Sequence, residues 1–195
     1  KLPLPFSHVK AVLPTLLDAL AHAHARGVIH RDLKPGNVLL ADENDARPGL
    51  KLTDFGIAHA VHREGRTGMY EQTAGTPYYM APEQFQGRFR DYGPWTDLYA
   101  LGCLGFELAT AQLPFQGDSL VEQAYQHMHG PVPELSDVVV PLGFEGWLGR
   151  LLAKRPGDRY QRAADAAWAL FHIGPPPSEV AVASLGEVLA SAESR

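Results

Sequence analysis

The sequence is poor in the features that mark secreted, membrane-spanning and nucleic-acid-binding proteins. Among its 195 residues there is one cysteine, Cys103, which excludes an internal disulfide framework and favours a reducing compartment. The longest apolar run, Leu98–Thr110, contains Glu107 and is shorter than the roughly 20 residues that a membrane-spanning helix needs. The chain has no run of Lys and Arg, no signal-peptide pattern and a net charge of −5. We therefore expect no nucleic-acid partner and no membrane segment within it.

What the sequence does contain is an ordinary globular composition with a mainly helical pattern. Hydrophobic residues make up 45% of the chain and charged residues 20%, which suits one domain with its own core. Apolar residues at helical spacing predict a helix that begins near His8 and ends at Gly27, with a bend at Pro14. Further helices are predicted at residues 97–111, 118–128, 143–153 and 161–172.

Short apolar runs interrupt this helical pattern early in the chain. They predict strands at residues 28–30, 38–40 and 50–55. The polar segment between the last two predicts an exposed hairpin loop, and residues 56–75 predict a long loop of the functional or mobile kind. The expected fold class is therefore α+β, mostly α-helical, with a small β-hairpin. The prolines that follow Gly174 predict a domain over residues 1–173 and a linker or disordered tail over 174–195.

The most informative segment is His30–Asn37, where HRDLKPGN places an acid, two bases and an amide close together. A second acid, Asp54, lies at the end of the last predicted strand, and a hairpin would return it towards Asp32 and Asn37. Asp54 and Asn37 would then offer oxygen ligands to Mg²⁺, which also takes phosphate oxygens. Asp32 would accept a proton from a hydroxyl group, and Lys34 would stabilise a transferring phosphoryl group. The layout predicts phosphoryl transfer.

Three motifs in order resemble those of the protein kinase family. HRDLKPGN at 30–37, DFG at 54–56 and APE at 81–83 have the order and approximate spacing of that family. The LKP after the acid and the segment GTPYYMAPEQ resemble the Ser/Thr branch, most closely its bacterial members. The resemblance covers roughly residues 8–173. It implies a kinase-like C-terminal lobe whose small hairpin carries the catalytic and metal-binding loops, in a Ser/Thr protein kinase that uses ATP and Mg²⁺ and acts on protein substrates.

The resemblance implies a separate role for each site residue. Asp32 would be the catalytic base, Lys34 would contact the γ-phosphate, and Thr76 would line the substrate-hydroxyl site. Mg²⁺ would be held by Asn37 and Asp54. The residues implied to contact ATP are Lys34, Asn37, Leu39 and Asp54.

Structural contacts around the site are implied as well. His30 would pack against Phe55 of the DFG motif. Glu83 would form an ion pair with Arg159 that ties the APE segment to the lower helices. Asp97 would accept hydrogen bonds from the HRDLKPGN segment. We therefore expect these five residues to support the site without reacting.

Control by phosphorylation is a further implication, because Arg31 precedes the proposed base. A phosphate on the loop that begins at Gly56 could pair with Arg31 and order that loop. Thr73 is the first candidate for the modified residue. Thr67 and Tyr70 are weaker candidates.

One part of the family pattern does not occur in this sequence. The sequence contains no Gly-rich phosphate loop, strand lysine or paired helix glutamate before His8. We therefore expect a C-terminal lobe that is inactive without an N-terminal lobe. The alternative is a non-catalytic binding or scaffold module built on a kinase lobe. A small-molecule phosphotransferase of kinase-like fold is a third hypothesis, against which GTPYYMAPE argues. The expected location of the catalytic domain is the cytoplasm, and a membrane anchor outside this chain stays open.

Two histidine pairs could be mistaken for metal ligands. His22 and His24, and likewise His127 and His129, are two residues apart in predicted helices. Residues at that spacing do not share a helix face, so we expect no metal role for either pair.

Overall fold

The computed structural model describes residues 3–42, 44–46, 48–55, 77–136 and 138–174. All structural statements below refer to these residues. Among them, no helix combines the length and the apolar character that crossing a membrane requires.

The described part of the chain is mainly helical and carries one small antiparallel sheet, as predicted. The α-helices are α1 (Phe6–His24), α2 (Pro82–Phe85), α3 (Pro94–Thr110), α4 (Leu120–His129), α5 (Phe144–Leu151) and α6 (Ala163–Phe171). The strands are β1 (Val38–Ala41) and β2 (Gly49–Leu52). Short 3₁₀ turns occupy Pro35–Asn37, Pro77–Tyr79, Phe89–Asp91 and Pro156–Asp158.

Helix α1 contributes one face to the core and packs against α3 and α6. Its buried side chains recur every three or four positions, which keeps them on one face of the helix. They are Val9, Leu13, Leu16, Leu17, Leu20 and Ala23. The helix begins two residues before His8 and continues on both sides of Pro14.

Helix α3 is buried over most of its length, which explains why its sequence reads as a continuous apolar run. Two of its glycines let α5 approach closely. A Cβ atom on Gly102 would lie 2.9 Å from the Cβ of Leu151, and one on Gly105 would lie 3.2 Å from Leu148. Larger residues at these positions would push the two helices apart.

The sheet consists of β1 and β2, with Val38 opposite Leu52 and Ala41 opposite Gly49. β2 ends at Leu52, three residues before the predicted end. The amide of Thr53 still donates to the carbonyl of Asn37 at 3.0 Å, but Asp54 has a φ of 60° and cannot continue a strand. The hairpin therefore ends where the segment that contains Asp54 meets the segment that contains Asp32.

The strand predicted at residues 28–30 is wrong. The amide of Val28 donates to the carbonyl of Ala23 at the end of α1, and the amide of His30 donates to the carboxylate of Asp97. These backbone groups are satisfied without a neighbouring strand, so the segment leaves the helix as a loop. The apolar character of Val28 and Ile29 alone could not reveal that alternative.

Candidate active site

The backbone of the catalytic loop, which we define as residues 30–37, is held by the first turn of α3. The buried carboxylate of Asp97 accepts from the amide of His30 at 2.8 Å through Oδ2, and from the amide of Arg31 at 2.7 Å through Oδ1. Arg31 has a φ of 67°, in the left-handed region that a non-glycine residue rarely adopts. Two hydrogen bonds to a charged group stabilise this unusual turn. Asp97 thus accepts hydrogen bonds from this segment in the structure, in the arrangement that the resemblance implies.

Asp97 has a third partner that the sequence did not indicate. The Nε2 of His24, in the last turn of α1, lies 2.7 Å from Oδ2 of Asp97. The other ring nitrogen of His24 is buried and has no partner among the described residues. Helical spacing could show the face on which His24 lies. It could not name a partner 73 positions later in the chain.

Three of the four side chains predicted to be catalytic, those of Asp32, Lys34 and Asn37, come together around one carboxylate. Oδ2 of Asp32 accepts from the ammonium of Lys34 at 2.7 Å and from the amide nitrogen of Asn37 at 3.2 Å. The same Asn37 nitrogen donates to the backbone carbonyl of Asp32 at 2.7 Å. The Asp32 side chain is 43% exposed, whereas Asn37 is buried. One oxygen of the Asp32 carboxylate is thus held by hydrogen bonds, and the side chain is accessible from solvent.

Asp54 is brought to this loop by its neighbour in the chain. The amide and hydroxyl of Thr53 both donate to the carbonyl of Asn37, at 3.0 and 3.3 Å. The carbonyl of Thr53 accepts from Nε2 of His30 at 2.8 Å. Asp54 follows directly, exposed and with its backbone in the left-handed region. The expected return of Asp54 towards the catalytic loop is therefore present.

His30 is a packing residue in this arrangement. Its ring is fully buried, and its centroid lies 4.6 Å from that of Phe55, in the contact that was predicted. Its Nδ1 accepts from the amide of Asp32 at 3.3 Å while Nε2 donates to Thr53. Both ring nitrogens are occupied, so His30 links the two loops and is not free to exchange protons with a substrate.

The predicted ion pair between Glu83 and Arg159 is also present. The guanidinium meets the carboxylate through two bonds of 2.9 Å, and both side chains are buried. Glu83 accepts a further bond from the hydroxyl of Thr96 at 2.9 Å. Arg159 also donates to the carbonyls of Ala153, Lys154 and Trp95. Such complete pairing is what a buried charge requires.

Tyr99 extends this buried network. The Arg159 guanidinium lies 4.7 Å from the centre of the Tyr99 ring, and the Tyr99 hydroxyl lies 3.0 Å from Nδ1 of His127. Burial, with a smaller contribution from the nearby Lys154 ammonium, lowers the pKa of His127 to about 3. His127 is therefore neutral at ordinary pH and accepts the bond. We call Glu83, Thr96, Tyr99, His127 and Arg159 the buried polar cluster.

Helix α2 joins the two networks. Glu83 anchors it to the buried polar cluster, and the amide nitrogen of Gln84 donates to the carbonyl of Arg31 at 2.8 Å. The side-chain oxygen of Gln84 accepts from the amide of Ala81 at the start of the helix. The sequence did not predict α2, because four residues are too few to show a helical period.

The donor set near the catalytic loop suits Mg²⁺ and phosphate. Asn37 uses its side-chain nitrogen on Asp32, which leaves its side-chain oxygen, Oδ1, without a donor among the described residues. The exposed carboxylate of Asp54 is the second hard oxygen group. The described residues contain no group of three or more His, Cys, Asp or Glu suited to a metal, so phosphate and water would complete the coordination. Leu39, half exposed on β1, is accessible to a nucleotide.

Several predictions concern residues outside the described part of the chain. Gly56, Thr67, Tyr70, Thr73 and Thr76 belong to this group, as do residues 175–195 of the predicted tail. Their assigned roles remain predictions.

Comparison with known proteins places this geometry in context. Residues 1–160 match the family model described as protein kinase domain. Serine/threonine-protein kinase Pkn1 of Myxococcus xanthus is 43% identical over 164 residues, which cover 83% of this chain and 23% of Pkn1. PknL of Mycobacterium tuberculosis is 40% identical over 163 residues, covering 83% of this chain and 39% of PknL. PknB of Mycobacterium leprae is 35% identical over 179 residues, covering 90% and 28%. The chain thus spans less than two fifths of the length of these relatives.

Proposed function

The chain belongs to the protein kinase family, among relatives that are bacterial Ser/Thr kinases, and from this premise we propose that it supplies the catalytic lobe of a phosphotransferase. The enzyme transfers the γ-phosphoryl group of ATP to Ser or Thr hydroxyls of proteins, in the cytoplasm. The observation that carries the proposal is the Asp32 carboxylate, held on one oxygen by Lys34 and Asn37 and exposed on its other side.

Asp32 acts as the base. Its Oδ2 receives two hydrogen bonds, whereas Oδ1 receives none from the described residues. With the side chain 43% exposed, Oδ1 can accept the proton of a substrate hydroxyl as that oxygen attacks phosphorus. The two bonds on Oδ2 fix the carboxylate in one orientation, so little reorganisation is needed when the hydroxyl arrives.

Lys34 and the two oxygen ligands act on the phosphate. The Lys34 ammonium has three N–H groups, of which one is used on Asp32, and it is 22% exposed. The remaining N–H groups can donate to a γ-phosphate oxygen and offset its negative charge. When bound by Asn37 and Asp54, Mg²⁺ would neutralise charge on the phosphate oxygens. Leu39 lies against the nucleotide.

The loop that begins at Gly56 completes the site in this proposal. Thr76 lines the substrate-hydroxyl site, and Thr73 is the phosphorylated residue that orders the loop. Arg31 supports this assignment, because its exposed guanidinium has no carboxylate within 4 Å among the described residues. A phosphate could therefore pair with it without displacing another anion.

Phosphotransfer is proposed to require a further lobe. Kinases hold the other phosphates of ATP with a Gly-rich loop, a strand lysine and a helix glutamate. The 195 residues contain no G-x-G-x-x-G motif. We therefore assign this chain to the C-terminal lobe and expect it to be inactive by itself.

The decisive experiment measures phosphate transfer from ATP by the full-length gene product. Asp32→Asn should lower kcat by about 10²–10⁴-fold, because the base is lost while the fold is kept. Asp45→Asn, in the exposed hairpin loop, is the matched control and should retain full activity. Full activity in Asp32→Asn would refute the assignment of the base. Absence of transfer by the unaltered protein would favour the scaffold alternative.

A further inference from the structure

A pocket lies on the side of helix α2 that faces away from the catalytic loop. It has a volume of about 260 Å³ and is open to solvent. Its walls come from α2, from the segment that follows α2 as far as Asp91, from the end of α4 and from residues 154–156. The side chains that matter for its chemistry are Arg88, Asp91, Lys154 and Arg155. None of these four takes part in the catalytic loop.

The pocket is positively charged within an acidic chain. Three cationic side chains and two carboxylates, those of Asp91 and Glu83, line it. The charge of Glu83 is cancelled by its bidentate pair with Arg159, so two net positive charges remain. The whole chain has a net charge of −5, so the pocket contrasts with the rest of the molecule. A local excess of one sign attracts ligands of the opposite sign.

Two of the three cations are available to a ligand. The guanidinium groups of Arg88 and Arg155 are exposed, and no carboxylate of the described residues lies within 4 Å of either. Lys154 is different. Its ammonium donates to the carbonyls of Gln126 and His127, at 3.1 and 2.8 Å, and lies 3.6 Å from the centre of the Phe115 ring. Lys154 therefore contributes charge to the wall, and the two arginines remain as donors.

The pocket has a fixed relation to the catalytic loop. Pro82, Glu83 and Gln86 of the α2 segment line the pocket, whereas Gln84 projects from the opposite face and bonds to Arg31. An α-helix with its side chains is about 10–12 Å across. An extended peptide covers that distance in roughly three to four residues at about 3.3 Å each. The width of α2 therefore sets a lower limit of roughly three to four residues on the separation between a group at the catalytic loop and a group in the pocket.

We propose that Arg88 and Arg155 bind the carboxylates of an acidic segment of the protein substrate, at least about three to four residues from the acceptor hydroxyl. The inference rests on the proposed kinase function and adds the substrate class. Planar guanidinium groups pair with carboxylates through two parallel hydrogen bonds, which gives direction as well as charge. Asp91 disfavours an acidic segment less than the two arginines favour it, because the balance of charge is positive.

The test is peptide binding to the full-length gene product, followed by fluorescence anisotropy. The probe has a central Thr with Glu residues from about three positions outward on both sides, and its partner probe has Gln in their place. The unaltered protein should bind the Glu probe about tenfold more tightly than the Gln probe. Arg88→Gln/Arg155→Gln should remove that preference. Lys10→Gln/Arg26→Gln, which removes the same charge from exposed positions on and after α1, should keep it.

Charge reversal separates pairing from loss of fold. Arg88→Glu/Arg155→Glu should prefer a probe with Lys in place of Glu. An unchanged preference for Glu in both Arg88/Arg155 variants would overturn the proposal. So would binding of inorganic phosphate with no binding of the Glu probe, since the pocket would then be a free-anion site.

Binding also separates this inference from the proposed function, because it needs no phosphotransfer. If the protein transfers phosphate, Arg88→Gln/Arg155→Gln should raise KM for the Glu peptide with kcat unchanged. If it transfers none, a Glu preference lost in the variant still supports the acidic-segment site while the kinase proposal fails. Phosphate transfer with no Glu preference would support the kinase proposal and overturn the acidic-segment site.

Discussion

Two polar networks meet at the start of helix α3, and their carboxylates differ in exposure and in hydrogen bonding. Asp97 supports the catalytic loop, where Asp32 is 43% exposed and has one oxygen without a donor among the described residues. The neighbouring residue, Thr96, belongs to the buried polar cluster, where Glu83 has both oxygens paired with Arg159. The carboxylate that we propose as the base is partly unpaired and exposed, whereas the carboxylate in the ion pair with Arg159 is fully paired and buried.

The difference has an energetic side. In the buried polar cluster each partner compensates the desolvation of the other, so losing one partner is costly. Around Asp32, water can replace a lost hydrogen bond, so the same change costs little stability. Substitutions around Asp32 should therefore mainly change activity. Substitutions in the buried polar cluster should mainly change the free energy of unfolding.

The largest stability effect is expected at Arg159. Arg159→Met leaves the Glu83 carboxylate buried without its cation and removes the bonds to three carbonyls. The free energy of unfolding should fall by about 3–5 kcal/mol, measured by urea unfolding. Glu83→Leu/Arg159→Met removes both charges and should recover part of that loss. A loss below about 1 kcal/mol in the single variant would contradict the contrast between the two networks.

His127 should make the buried polar cluster sensitive to acid. Its pKa is about 3 in the folded chain against an ordinary value of 6.5, so the unfolded chain binds more protons between these values. Its contribution to stability is thus fully present above pH 6.5 and is lost as the pH falls towards 3. The loss should be about 1.4 kcal/mol per pH unit within that window.

Urea unfolding at about pH 7, 6, 5 and 4 checks this expectation. His127→Gln should show a shallower fall than the unaltered protein, because the neutral amide does not titrate. His129→Gln changes an exposed histidine two residues away and should keep the steep fall. Equal slopes in all three proteins would show that His127 is not the group responsible.

The smallest stability effect is expected at Lys34. Lys34→Met breaks a 2.7 Å ion pair whose partner is 43% exposed, and the free energy of unfolding should change by less than about 1 kcal/mol. Phosphate transfer by the full-length protein should nevertheless fall, because in the proposed mechanism Lys34 is the cation that offsets the charge of the γ-phosphate. A large loss of stability would place Asp32 and Lys34 with the structural network. Lys51→Met, on β2 of the same hairpin, is the control for activity.

Local features of the fold and site could be read from the sequence. Asp32, Lys34 and Asn37 lie within one short motif, so their meeting needs only a turn. The helices with a long apolar period were predicted within a few residues of their bounds. The pairing of Glu83 with Arg159, 76 positions apart, followed from the family resemblance and not from any pattern in this chain.

Features set by distant contacts could not be read in this way. Residues 28–30 look like a strand, but their amides bind Ala23 and Asp97. His24 looks like an ordinary helix residue until α3 brings Asp97 beside it. The pocket around Arg88 and Arg155 takes its cations from two segments of the chain, with Arg88 and Arg155 67 positions apart.

The Asp97 anchor also imposes an order of events during synthesis. The loop amides that it holds belong to His30 and Arg31, 67 and 66 positions earlier in the chain. A ribosome adding about 5–20 residues per second needs roughly 3–13 seconds to make that intervening stretch. For that time the catalytic motif exists as a peptide without its supporting carboxylate. The nascent chain can therefore form this hydrogen-bonded loop only after Asp97 has been made, and a ribosome stalled before Asp97 would carry the complete HRDLKPGN motif without its anchor.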